Sequence, residues 1–276
     1  MWARHFIPIW IGLLPVSSLA DTTIPDPSSI LSPTIASAIV KTIGLAMDHR
    51  PYEPATPLAK NLLGFDFGIE ATMTKPPEDL STAISSITSA SGGGGSTSIP
   101  ILPSARLHLS KSLGSRLDIG ISYLPAVSSI PVIGGSSLFG GDLKLCLADP
   151  EEGVTWALRA SYNINTIKIS TITVNTTTFS PQLLISKKLE FADPYMGIGV
   201  QYTTGTVTAS ITPPSIEAPA PVLSTISLSE KGSGFGGVFF SGISLKIPLM
   251  NLRITLEGAY STARVSYMGT KVGFNF

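Results

Sequence analysis

The chain has 276 residues, of which 13% are charged, with 18 basic against 18 acidic side chains. Neutral and scattered charge gives no electrostatic case for nucleic-acid binding, and a single cysteine, Cys146, excludes an internal disulfide. Mean hydropathy is high at +0.34, yet the apolar residues are not gathered into spanning helices. The compact run 6–14 falls short of the roughly 20 apolar residues such a helix needs. The uncharged stretch 119–141 is broken by Pro125, Pro131 and repeated Gly and Ser. The hydrophobicity must therefore be dispersed over shorter elements.

Residues 1–20 read as a secretory signal peptide. Arg4 supplies the positive end, 6–14 the apolar stretch, and Ser18-Leu19-Ala20 a small-x-small cleavage site, so the mature chain is expected to begin at Asp21. No Cys follows the site, which argues against a lipoprotein anchor. An extension at 21–61 opens with a Pro- and Ser-rich stretch. Ser32-Pro33 then has the form of an N-cap followed by proline at the first helical position. Ile35, Ile39 and Ile43 recur at four-residue spacing, so an amphipathic helix is predicted over about 33–48. Residues 49–57, with three prolines, read as a connector. The helix could plug a lumen, rest in the periplasm or touch the membrane surface; its few charges disfavour a basic interfacial anchor.

From residue 62 the period changes to two. Leu63, Phe65, Phe67, Ile69, Ala71 and Met73 alternate with Gly64, Asp66, Gly68, Glu70, Thr72 and Thr74, so the carboxylates share one face and the apolar residues the other. The same alternation recurs around 105–110, 117–123, 142–147, 154–163, 174–188, 194–204, 235–247, 251–261 and 265–276. That makes about ten strands over 62–276. Connections after strands 1, 3, 5 and 7 (75–100, 124–137, 165–173, 205–234) are long or rich in Ser, Thr, Gly and Pro. Those after strands 2, 4, 6 and 8 are short, while the last hairpin, near Thr262, is short and breaks the trend. Alternating long and short connections are the pattern of an antiparallel transmembrane β-barrel with short periplasmic turns. Aromatic residues sort into two levels: Tyr123, Tyr162, Phe179, Tyr202, Tyr260 and Tyr267 at the outer ends, and Phe65, Trp156, Tyr195, Phe274 and Phe276 at the periplasmic ends, as headgroup girdles require. Phe239 and Phe240 fall mid-wall.

The final segment, with Met268, Val272, Phe274 and a terminal Phe276 at alternating positions, resembles the closing-strand signal of Gram-negative outer-membrane proteins; Thr270 departs from it. That resemblance implies recognition by the barrel-assembly machinery and residence in the outer membrane. Residues 47–58 followed by 64–70 look like the start of a group of uncharacterised proteobacterial barrel proteins, which supports the architecture and implies no activity.

Strand parity directs Asp66, Glu70, Arg106, His108, Asp118, Asp142, Lys144, Arg159, Arg253, Glu257 and Lys271 to the lumen. Such a set can line a passage and set its selectivity, or fill a narrow barrel as an ion-pair network, the reading favoured two to one. The expected role is an integral, monomeric, porin-like barrel in outer-membrane lipid that passes or binds a small solute. The alternatives are a structural barrel whose outer loops contact surfaces, and a soluble secreted barrel holding a lipophile on an apolar interior. No catalytic residue, cofactor or metal-ligand cluster is expected. His108 has no diagnostic Ser beside it, which leaves a lipid-modifying barrel enzyme a remote alternative. Gly92 to Gly95 lack the strand–helix context and the Lys of a phosphate loop and read as a flexible surface loop.

Overall fold

The computed structural model describes residues 31–60, 63–90, 101–127, 135–148, 153–169, 171–211, 226–247 and 250–276. The signal peptide, its cleavage site and Gly92 to Gly95 lie outside them. Ten antiparallel strands close into a barrel: β1 (Phe65–Lys75), β2 (Leu102–Ser112), β3 (Leu117–Val127), β4 (Gly135–Ala148), β5 (Val154–Ile169), β6 (Ile172–Lys187), β7 (Ala192–Ile211), β8 (Ile226–Ile247), β9 (Leu252–Ser261) and β10 (Val265–Asn275). Helix α1 (Pro33–Ala46) precedes the barrel, and α2 (Glu78–Ala90) lies in the connection between β1 and β2. No helix of the described residues is long and apolar enough to cross a membrane; the strands do so.

Closure runs to the last residue. β1 pairs with β10 from Asp66 opposite Asn275 to Lys75 opposite Ser266. Phe65 and Phe276 exchange backbone bonds of 2.9 and 2.8 Å, so no open edge remains on this seam. Met268, Val272, Phe274 and Phe276 face outward along it.

The period-two pattern becomes a sharp division of burial. Asp66 and Glu70 are fully buried while Ile69 between them is 56% exposed. Phe67, Leu107, Ile121, Leu143, Leu158, Ile198 and Leu256 repeat this exposure around the barrel. A continuous apolar belt around the barrel would be untenable in water, so the wall is that of an integral membrane β-barrel. The lipophile-binding alternative needed the apolar face inside, and the fold places it outside.

Tyr162, Phe179, Tyr202 and Phe235 lie side by side across four strands and all face outward. Beyond this aromatic row the pattern inverts. Ile167, Ile169, Ile172, Val174, Val207 and Ala209 turn inward and are buried, while Lys168, Thr173 and Thr208 turn outward. Water replaces lipid outside the wall at that level, so the strands take the apolar-in pattern of a water-soluble sheet.

Several expectations are corrected here. Residues 165–173 and much of 205–234 are strand rather than loop, because β5 to β8 run to 16, 16, 20 and 22 residues, where roughly 9–11 cross a bilayer. The connection at 75–100 contains α2, whose Leu80, Ile84 and Ile87 make one buried face. Tyr195 and Tyr267 leave the girdles, since both point into the lumen and are buried. The predicted helix over 33–48 ends at Ala46.

Candidate functional site

The lumen is occupied along its length by residues 31–58, and two kinds of packing hold them. At the outer end α1 is capped by Ser32, whose hydroxyl accepts from the Ile35 amide at 3.3 Å, with Pro33 opening the first turn. Its Ala36, Ile39, Val40 and Ile43 join Leu80, Ile84 and Ile87 of α2 and the inward Ile167, Ile169, Val174 and Val207 in one apolar cluster. β8 makes room for the helix with inward Gly232 and Gly234. A Cβ at Gly232 would meet the Ala36 carbonyl at 2.7 Å, and one at Gly234 would run into Lys41.

The last carbonyls of a helix have no partner within it, and here the wall supplies them. Thr178 donates to Gly44 O at 3.1 Å, Tyr267 to Leu45 O at 2.6 Å, and Thr74 to Ala46 O at 3.3 Å. The amides of Asn163 and Asn165 both donate to Met47 O at 3.3 Å.

From Asp48 the chain crosses the inner half of the lumen without regular structure, so its backbone needs partners from elsewhere. The inward charges provide them. Arg106 donates to Arg50 O at 2.7 Å and Asp48 O at 3.4 Å while its Nε holds Glu70 at 2.6 Å. Arg159 donates to Pro51 O at 2.6 Å and to Gln182. Lys144 reaches Pro54 O at 3.2 Å and Thr56 O at 3.3 Å, and pairs with Asp118 at 3.2 Å. Asp118 in turn accepts from the Leu58 amide at 3.0 Å.

The extension contributes charges of its own. Glu53 accepts from Ser110 at 3.0 Å, Lys271 at 2.9 Å and Lys144 at 3.3 Å, and Lys271 also pairs with Asp66. Arg50 lies 3.6 Å from Glu257 and over the Tyr267 ring at 4.2 Å. Glu257 accepts from Tyr195 at 2.9 Å, and Asp48 from Gln201 at 2.6 Å. Tyr52 bonds to Thr72 in the space left by Gly269, where a side chain would collide with its ring.

Ten of the eleven inward residues named above therefore meet in or beside one network; Arg253 does not. It stands at the inner mouth, 3.9 Å from Asp193, which Lys246 holds at 2.6 Å. Residues 49–57, read from sequence as a connector, are the partners that strand parity could not supply. The signal for them was indirect: the inward glycines Gly269 and Gly140 mark where the Tyr52 and His49 rings approach closely.

Ser122 Oγ stands 3.1 Å from His49 Nδ1, and His49 Nε2 is 3.0 Å from Asp142 Oδ1. The order Ser–His–Asp matches that of a nucleophilic triad, but Ser122 is 2% exposed beneath His49, with no face for an ester to approach. Its chemistry is that of a buried hydrogen-bond chain. Two groups of buried side chains come together that the sequence reading did not bring together. His49, His108 and Asp142 present one ligand atom each within 4.8 Å of one another, as do Glu53, Asp66 and His108. Spacing along the chain hid both, because the members come from the extension and from strands far apart in sequence.

The barrel wall falls within one recognised family, whose model matches residues 55–276, while most of the lumen's occupant precedes the match. This chain belongs to the Family of unknown function (DUF6588). The DUF6588 match takes in every strand, His108 and Asp142, and begins within the extension after His49. No curated protein matches the chain. Solved structures overlap it loosely. A KdgM porin in complex with disordered oligogalacturonate is 10% identical, with a TM-score of 0.36 over 76% of this chain and 99% of that one. The translocator domain of autotransporter NalP from Neisseria meningitidis is 10% identical, with a TM-score of 0.36 over 91% and 100%. Ail, the attachment invasion locus protein of Yersinia pestis, is 8% identical, with a TM-score of 0.24 over 76% and 93%.

Proposed function

We propose that this DUF6588 protein is a plugged outer-membrane barrel that works through its outer hairpins, in structural or surface-interaction duty, rather than as an open pore. The observation that carries this reading is the filled lumen: Ile39, Ile43, His49, Arg50 and Tyr52 are each at most 2% exposed inside the wall. The length of β7 and β8 supports it, since their outer portions pair from Thr203 opposite Gly234 to Ile211 opposite Ile226, above the aromatic row and beyond what crossing requires. Passage of a small solute, the first expectation from sequence, would require the extension to leave the lumen and exchange the hydrogen bonds that tie it to the wall. The closing strand ending in Phe276 is the segment we assign to the assembly machinery, and the apolar belt fits a monomer in lipid.

Planar-bilayer conductance of the purified mature protein tests the closed lumen. Silence is expected from the intact chain and current from one lacking 21–58; regular openings of the intact chain would favour solute passage. Surface duty is tested by replacing 206–231 with a tight turn. Cells carrying that variant should lose attachment to surfaces that cells with the intact protein colonise. Unchanged attachment would count against the hairpin.

A further inference from the structure

We infer that His49, His108 and Asp142 form a binding site for a divalent transition-metal ion, zinc by donor type, that staples the extension to the barrel wall. His49 comes from the extension, His108 from β2 and Asp142 from β4. His49 and His108 are the only two histidines outside the first twenty residues, and both turn Nε2 toward the same Asp142 oxygen, at 3.0 and 3.4 Å. Ligand atoms about 2.0–2.1 Å from a tetrahedral ion lie roughly 3.3 Å from one another, which these separations approximate. Two imidazoles and a carboxylate are a donor set that suits zinc. Ser110 Oγ, 3.3 Å from the same His108 nitrogen, is the candidate for the fourth position.

The outer nitrogens are placed as a metal site requires. A ligating imidazole is oriented by a hydrogen bond from its other nitrogen. His49 Nδ1 has Ser122 at 3.1 Å. His108 Nδ1 faces Glu70 at 3.4 Å and Glu53 at 3.6 Å, and its N–H can donate to Glu70, the nearer carboxylate, once Nε2 binds metal. Lys271 also approaches this nitrogen, at 3.2 Å, but has Asp66 and Glu53 as alternative acceptors. Space is reserved as well: a side chain at Gly120 would collide with both Asp142 and His108.

Charge points the same way. The buried charges of the network are Asp48, Glu53, Asp66, Glu70, Asp118, Asp142 and Glu257 against Arg50, Arg106, Lys144, Arg159 and Lys271. Seven acids less five bases, with the imidazoles neutral as metal ligands must be, leave two uncompensated negative charges deep in the lumen. Buried charge is costly unless it is paired or coordinates a metal, and one divalent cation balances it. The neighbouring set Glu53, Asp66 and His108 makes the poorer site, because the Lys271 ammonium already stands among those carboxylates.

The test is to refold the mature chain in detergent with zinc, remove free ion on a desalting column, and count metal per folded barrel by mass spectrometry. One ion per chain is expected, and cobalt loaded in its place should give the intense visible absorption of a tetrahedral site. His49→Gln and Asp142→Asn should each weaken binding at least tenfold while the barrel still shifts on gels when boiled. Copper-loaded wild type, examined by electron spin-echo modulation, should show two coupled imidazoles and needs no variant to fold. Absence of stoichiometric metal from folded wild type, undiminished binding in both variants, or no imidazole coupling would overturn the assignment.

Discussion

The outer and inner halves of the lumen solve the same problem in opposite ways. In the outer half the occupant is helical. Up to its last turn it satisfies its own backbone, so the wall facing that part can be apolar, and Ile39 and Ile43 pack against Ile167, Val174 and Val207. In the inner half the occupant is extended and has proline at 51, 54 and 57. Its carbonyls need donors, and the wall answers with Arg106, Arg159 and Lys144. The polarity of the lumen wall thus follows the secondary structure of what fills it.

The largest expected effect lies in the inner half. Arg106→Ala takes from buried Glu70 its nearest cation and from two carbonyls their donor, and should cost about 3–5 kcal/mol, read as a lower guanidinium midpoint for unfolding in micelles. A loss below 1 kcal/mol would mean that water reaches this part of the lumen. In the outer half Ile43→Ala should cost about 2–4 kcal/mol through the cavity it leaves. It should also leave the inner network intact, so its effect should add to that of Arg106→Ala within about 0.5 kcal/mol; strong coupling would merge the two halves into one unit. The smallest effect is expected at the inner mouth, where Arg253 keeps 13% of its side-chain surface open to solvent and lies 3.9 Å from Asp193. Arg253→Ala should change stability by less than about 1 kcal/mol, and a larger loss would extend the network to the mouth.

These contrasts explain what could be read in the chain. Strand parity is set by the pleat, so the inward placement of Asp66, Glu70 and Glu257 follows from their neighbours alone. The partners of those charges were not legible, because a lumen brings together residues such as Glu53 and Lys271, 218 positions apart. The outer ends of β7 and β8 were misread for a local reason. Above the aromatic row, Thr206 and Thr208 face water, and a strand polar on its outer side resembles a loop when outward apolar residues are the criterion. Helix α2 was hidden by its Ser and Thr content, although Leu80, Ile84 and Ile87 stand at helical spacing behind Glu78 and Asp79.

The extension passes through the barrel, with α1 at the outer mouth and Leu58 at the inner one. Thr34 and Ala59 are exposed at those two ends, and the native Cys146 is buried, so single cysteines can report on each mouth. With a membrane-impermeant maleimide on intact cells, Thr34→Cys should label and Ala59→Cys should label only after the outer membrane is opened. Labelling of Ala59→Cys on intact cells, or protection of Thr34→Cys there, would contradict the threaded arrangement.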